Sequence, residues 1–440
     1  MTLTKLVTPS IACAENISLL YLLHPVPTLP SRNPVDRLPL RKQGYGLCID
    51  KERSLVSVLA FLSNAHDDAN YVPALCVQEE PATLTLNVFL AVNKSTKNDG
   101  SQILLELKRG FDGIFATLAQ ISEEEHRSPR VKDEIFSAIV VMCSHRILRR
   151  LRLVEHKRYV SKQPIQEVLR EVIGALKEAG KRGLGKHSSL STSFMDKAKD
   201  VLKLADAWAK HQTTARLEDL VKGVYRLKHL GDIKALIESI PNRSMCPSAR
   251  SNLYNIICKV SRYHEVARFL YRMSKRNHVL QRMRLTIVDL PKDSYDRHRV
   301  DPYTPILLTT IMRSNAKGRK PDLGHVCRLL KTTEVQANEQ FASQTKRTLR
   351  ESKVHAEIQL IYYCDLNASK LPPRVISSSK DACYLCNAFI TMHGKMHISR
   401  SHGRLYPGWR LPQIPELHGM QQRFNSVLEK QVRSSLSALL

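Results

Sequence analysis

Apolar positions recur with a helical period through most of the first 280 residues. Ile165, Val168, Leu169, Val172, Ile173 and Leu176 fall at i, i+3, i+4, i+7, i+8 and i+11, which lines them up on one stripe of an α-helix. Pro164 stands in the first turn, where a missing N–H costs nothing. Ala198, Val201, Leu202 and Ala205 repeat the spacing, as do Leu217, Leu220, Val221 and Val224. Residues 133–153 and 251–273 carry it too. The pattern predicts a mainly α-helical region over 51–277, without a repeat of fixed period. Ahead of it, Pro25, Pro27, Pro30, Pro34 and Pro39 punctuate a stretch that reads as extended, and residues 1–50 are taken together as a Pro-rich arm.

Beyond about Asn277 the period changes. Met283–Leu290 and Arg374–Ser379 are short apolar runs of strand type, and Lys395–Arg400 is a third. Val354–Asp365 and Cys383–His393 read as helices. Strand and helix alternate, which predicts an α/β domain over 278–440.

Composition changes this picture in one respect. Of 440 residues, 68 are Lys or Arg and 41 Asp or Glu, a net charge of +27. The excess is shared: residues 281–440 carry +12 and the first 280 carry +15. Such a charge predicts attraction to polyanions, with nucleic acid or a nucleotide as the expected partner. Two basic clusters are candidate contact surfaces. One is Arg268, Arg272, Lys275 and Arg276, with Phe269 and Tyr271 among them and Arg282 and Arg284 following. The other is Arg146, Arg149, Arg150, Arg152, Lys157 and Arg158. A solvated helix face produces the same pattern. No apolar run reaches the length of a membrane span, and no membrane partner is expected. Ten scattered cysteines and an opening without a secretory signal fit a reduced, intracellular setting, cytoplasm or nucleus. In such a setting a close Cys pair reads as metal-binding or redox-active.

Gly180, Gly185 and Lys186 imitate a phosphate-cradling loop, but His187 stands where Ser or Thr would hold magnesium, and the loop follows an amphipathic helix rather than a strand. It reads as a basic linker.

The chemistry concentrates in the C-terminal part. His355-Ala356-Glu357 opens one helix, and Cys383-Tyr384-Leu385-Cys386 opens another 28 residues later. This is the H-x-E…C-x-x-C spacing of a zinc deaminase site. Cysteines at i and i+3 share a face of a first turn, where the helix N-terminus favours thiolate. His355, Cys383 and Cys386 make three ligands for Zn2+ and leave a fourth position open, as in a catalytic site. Glu357 is the candidate general acid/base. Cys364 lies nine residues past His355, roughly 13 Å along a helix, and is excluded as a ligand. His393, His397 and His402 remain candidates for a fourth, structural ligand, and a metal-free reduced Cys pair is a further reading.

Val354-His355-Ala356-Glu357-Ile358-Gln359-Leu360, Ser379-Lys380, the Cys pair and Ser401-His402-Gly403-Arg404-Leu405-Tyr406-Pro407-Gly408-Trp409 together resemble the cytidine-deaminase-like superfamily, most of all the OTT-type deaminase-like proteins of fungi. The resemblance is closest over 350–412. It implies a layered α/β fold with a mixed sheet, and a zinc ion between two helix N-termini. Ala382 departs from it, since many deaminases carry Pro before the first Cys. His402, Tyr406 and Trp409 are candidate substrate-binding residues; the alternatives are an ordinary turn for His402 and core packing for Tyr406 and Trp409. The expected function is zinc-dependent hydrolytic deamination of a nucleobase in nucleic acid or nucleotide. The alternative is a non-catalytic interaction or nucleic-acid-binding protein with a structural zinc.

Overall fold

The computed structural model describes residues 7–35, 44–66, 68–121, 129–154, 163–181, 188–297, 303–314 and 323–438. In chain order the first elements are α1 (Pro9–Leu23), β1 (Ser31–Arg32), α2 (Ile49–Ser63), β2 (Pro73–Glu80) and β3 (Thr85–Val92). A helical stretch follows: α3 (Ser101–Ala119), α4 (Pro129–Leu151), α5 (Ile165–Lys181), α6 (Ser188–Lys210), α7 (Thr214–Lys228), α8 (Ile233–Glu238) and α9 (Pro247–Arg276). Then come β4 (Met283–Ile287), α10 (Leu307–Ser314), α11 (Leu323–Leu330), α12 (Glu334–Glu351), β5 (Lys353–Val354) and α13 (Ala356–Leu366). The chain closes with β6 (Val375–Ser378), α14 (Tyr384–His393), β7 (His397–Ile398), β8 (Arg400–Ser401), β9 (Trp409–Arg410) and α15 (His418–Ala438). Lys157, Arg158 and residues 182–187, which include Gly185 and Lys186, lie outside the described residues.

The elements sort into two units. One comprises residues 1–63, 68–105 and 285–440; the other comprises residues 64–67 and 106–284. The first is a mixed α/β unit. Its five-stranded sheet has the order β4-β3-β2-β6-β7. β2 pairs antiparallel with β3, from Pro73↔Val92 to Glu80↔Thr85, and antiparallel with β6 on its other side. β6 and β7 run parallel. The first five residues of β2 are buried without alternation, as expected for a strand covered on both faces. Ala74 and Cys76 join the core beneath α13, while α2 packs on β2 and β6.

Two sequence expectations are corrected here. Residues 51–277 are not helical throughout, because β2 and β3 form the antiparallel centre of the sheet on which α13 rests. Residues 1–50 are not an extended arm, because α1 is a core helix. Thr8 caps it, Pro9 sits in its first turn, and Ala12 to Leu20 are all buried. It packs against α12 and α15. A helix buried all round must satisfy its polar groups internally. The Glu15 carboxylate accordingly accepts from Tyr303 and from Arg313 (2.6 Å), and the Ser18 hydroxyl donates to the Ala14 carbonyl at 2.7 Å. The extended reading holds for the Pro-rich segment after α1, where β1 pairs antiparallel with β8.

The second unit is mainly helical. α4, α7 and α9 pack together, and α6 lies on α7. Five elements in it, α4, α5, α6, α7 and α9, carry the periodic stripes read from the sequence. Ile165, Val168, Leu169 and Val172 on α5, and Leu217, Leu220, Val221 and Val224 on α7, are each 0–3% exposed, while Leu202 on α6 is only partly buried.

An ion-paired cluster joins the far ends of α13 and α14. Asp365 accepts from His393 Nε2 at 3.0 Å and from Lys395 Nζ at 2.8 Å. Burial works to raise the Asp365 carboxyl, but the bonds and charges of His393 and Lys395 outweigh it and hold the group below the usual carboxylate range. A depressed folded pKa gives stability that is present above the ordinary aspartate value of about 4 and is lost as pH falls through the folded value. Asp365→Asn is therefore expected to cost about 1–2 kcal/mol at neutral pH, with the difference from wild type shrinking below about pH 4. Thermal melts from pH 3 to 7 check this; parallel curves across that range would refute it.

Candidate metal centre

Both candidate metal-binding motifs sit at helix N-termini. His355 is the N-cap residue of α13 and Cys383 that of α14. Each has extended backbone (ψ 152° and 165°), so its side chain leaves the helix axis toward the other. His355 Nδ1 lies 3.7 Å from Cys383 Sγ and 3.4 Å from Cys386 Sγ. The three candidate ligand atoms all fall within 4.8 Å of one another, and among the described residues these are the three His, Cys, Asp or Glu that gather in this way.

The segments bearing the ligands are held by strands. β5 pairs in parallel with β9, Lys353↔Trp409 and Val354↔Arg410, and Lys94 bridges Val354 from the end of the hairpin. The next residue is His355. The Ala356 N–H donates to Asn93 Oδ1 at 2.9 Å, and Gln359 Nε2 donates to the Val92 and Val354 carbonyls at 2.6 and 2.9 Å. α13 is thus tied to the end of β3, and Asn93 gives the Ala356 N–H the partner that a helix start lacks. On the other side, Ala382 is fixed by β8. Its N–H donates to the Arg400 carbonyl at 3.1 Å, and its carbonyl accepts from His402 N (3.0 Å) and Ser401 Oγ (3.2 Å). This gives the departure at Ala382 a physical reason. A proline there would have no N–H to give Arg400, and the helix start is fixed by that strand-like bond instead.

The donor set suits a metal. Cys383 Sγ accepts the Cys386 N–H at 3.4 Å. Burial opposes charge on Cys383, but the bonds from Cys386 and the neighbouring His355 hold this thiol well below its ordinary range. Cys386 is pushed the other way, by burial and by its proximity to Cys383 and Glu357. For His355, burial acts to lower the imidazole, yet the charge and hydrogen bond of Cys383 raise it. Two close thiols beside an imidazole in a buried site carry an unfavourable charge problem that one divalent cation resolves. Two sulfur atoms and one nitrogen favour a borderline-soft metal of tetrahedral habit.

Glu357 is 4% exposed, and its Oε2 lies 3.6 Å from Cys386 Sγ. Its carboxylate is therefore beside the ligand cluster without being one of its three members. Cys364 is buried away from the cluster, close to Cys76 of β2. His393 is bound to Asp365, His397 is 3.5 Å from Ser399 Oγ, and His402 Nδ1 accepts the Arg404 N–H at 3.1 Å.

The aromatic tail divides. Trp409 is fully buried among Phe389 and Phe424, and its indole N–H donates to Cys386 Sγ at 3.4 Å. It is a core residue that also touches a candidate ligand, which neither sequence reading of it included. Tyr406 is 46% exposed, and its ring meets that of His402 edge-on at 5.4 Å. Arg268, Arg272, Lys275 and Arg276 lie on α9 in the other unit.

Sequence reasoning missed Asn93, Trp409 as a donor, and Thr28. The backbone at Thr28 lies against Gly403, whose φ is +71°, and the Leu405 N–H donates to the Pro25 carbonyl at 2.9 Å. The signal for Asn93 was available: PALCVQEE and TLNVFLAV are apolar runs of strand length separated by a short polar turn.

Residues 354–413 match the model of a family described as OTT_1508-like deaminase. The matched segment begins one residue before His355 and ends after Trp409, so it contains the whole candidate centre. No curated protein and no solved structure matches the chain.

Proposed function

We propose, on the premise of this deaminase-like segment, that the protein is a zinc-dependent hydrolytic deaminase acting on a nucleobase in nucleic acid or a nucleotide. The observation that carries the reading is Glu357. Its carboxylate stands beside three metal-type donors that leave a tetrahedral position open, and a purely structural zinc has no use for it. His355, Cys383 and Cys386 would hold the ion.

Zinc, when bound there, would supply a water of pKa about 7 able to attack the amine-bearing ring carbon. Glu357 would move two protons in turn: the first from that water to the ring nitrogen, and the second from the hydroxyl then on the carbon to the departing amine. The carbon–nitrogen bond would then break, leaving a carbonyl on the ring and releasing ammonia. Burial of Glu357 keeps bulk water from competing for those protons. Trp409 supports the site from behind: its N–H spreads charge from the Cys386 sulfur, as outer hydrogen bonds commonly do for metal ligands.

The test is metal content together with turnover. The purified protein is expected to hold close to one zinc per chain, and Cys383→Ser to hold far less. Ammonia release is then measured with cytosine and adenine presented in single strands, duplexes, nucleotides and free nucleosides. One zinc per chain with no release from any of them would replace this reading with the non-catalytic one.

A further inference from the structure

The second unit carries a surface that the proposed chemistry does not use. Residues 241–284 contain ten Lys or Arg and one acid, Glu265. Arg268, Arg272 and Arg276 follow one another at i, i+4 and i+8 on the last turns of α9, all exposed. They form a ridge with about 6 Å between successive positions. Like charges at this spacing repel, and among the described residues none of the three has a carboxylate within ion-pair distance. Glu265 is engaged elsewhere, 2.6 Å from Lys228 Nζ and 3.8 Å from His229 Nε2.

Beside the ridge, four rings meet in series from the core outward, edge-on or tilted to one another. Phe136 is 1% exposed and meets His264 at 5.1 Å. His264 lies 4.2 Å from Tyr225, and Tyr225 lies 4.1 Å from His229. The Arg268 guanidinium sits 6.0 Å from the Tyr225 ring and bonds its hydroxyl. The series ends at His229. Its side chain is 47% exposed, its Nδ1 is tied to the Tyr225 carbonyl at 2.9 Å, and among the described residues no further ring contacts it. Burial and the nearby Arg268 push His264 down to about 4, so this inner ring stays neutral at physiological pH.

We infer that the exposed face shared by α7 and α9 binds single-stranded nucleic acid, with phosphates along Arg268, Arg272 and Arg276 and a base stacked on the outer face of His229. Guanidinium groups match phosphate oxygens in a planar, two-point manner. An exposed ring at the end of such a series offers a platform that accepts any base and requires that base to be unpaired. An anionic membrane fits less well, because surface-lying helices bury large apolar side chains in the interface and α7 and α9 expose none among the described residues.

The test uses the full-length chain and labelled oligo-dT and oligo-U, which distinguish DNA from RNA. Neither base carries an exocyclic amine, so neither is a deamination substrate, and the result is independent of whether the metal centre turns over. Binding is followed by fluorescence anisotropy across salt. The wild type is expected to bind at least one oligomer, with affinity falling steeply as salt rises. The triple variant Arg268→Ala, Arg272→Ala, Arg276→Ala is expected to reduce the slope of log affinity against log salt by about two. His229→Ala is expected to weaken binding roughly tenfold with the slope unchanged. Circular dichroism confirms that both variants remain folded. No binding of either oligomer at low salt overturns the inference, as does a triple variant with the wild-type slope. Tighter binding to phosphatidylserine vesicles than to the oligomers also overturns it. Duplex bound as tightly as single strand, with His229→Ala indifferent, removes the single-strand assignment.

Discussion

Glu357→Gln is expected to leave the metal content unchanged while lowering deamination roughly 10²–10⁴-fold. Gln keeps the size and shape of the side chain and removes only the capacity to take and give a proton. The three candidate ligand side chains are untouched, since Glu357 reaches the cluster through one contact, Oε2 to Cys386 Sγ at 3.6 Å. Its place in the first turn of α13, two residues past His355, sets it apart from the ligand positions and still aims it at the same space. The two readouts separate the explanations. Zinc retained with activity lost assigns the proton transfer to Glu357. Zinc lost together with activity would make the carboxylate a support of the metal site. An unchanged rate would remove it from the reaction altogether.

Gly403→Ala is expected to destabilise the α/β unit by about 3 kcal/mol. Two effects add. A side chain at φ +71° costs about 1–2 kcal/mol in backbone strain. The added methyl carbon would also lie 1.9 Å from the Thr28 carbonyl oxygen and 2.8 Å from its carbon, both backbone atoms that cannot rotate away. The segment around Thr28 or the loop from His402 must move. That loop leads back to the metal centre, because the His402 N–H and Ser401 Oγ hold the Ala382 carbonyl, and Cys383 comes next. Zinc affinity is accordingly expected to fall 10- to 100-fold, the range for disturbed supports of metal ligands. Denaturant unfolding and a zinc competition titration check both parts. A change in stability below about 0.5 kcal/mol would contradict the close approach.

The helical stripes were legible because a buried helix face imposes a period of 3.6 on its own sequence, whatever it packs against. Leu217, Leu220, Val221 and Val224 announce α7 in this way. The strands of the sheet were harder. β2 and β3 are buried on both faces, so their sequences do not alternate, and a continuous apolar run is ambiguous between strand and helix. α1 was obscured for a related reason: a helix with no solvent face shows no amphipathic stripe, and Glu15, Asn16 and Ser18 interrupt its apolar run.

The sequence by itself determined the local chemistry. The spacing of His355, Glu357, Cys383 and Cys386 places each group at a helix start, and a helix start dictates how two residues three apart share a face. Only the tertiary structure decided what surrounds them. Asn93 beneath α13, Trp409 against Cys386, Arg400 opposite Ala382, and Thr28 against Gly403 are each brought in from a different part of the chain. Such contacts leave no periodicity behind, because a single hydrogen bond or a single close approach constrains one residue rather than a repeating set. For the same reason the α/β unit recruits its first hundred residues from beyond the helical unit: strand pairing is satisfied by any segment that presents its backbone at the right edge, and nothing in the order of the chain records which segment that is.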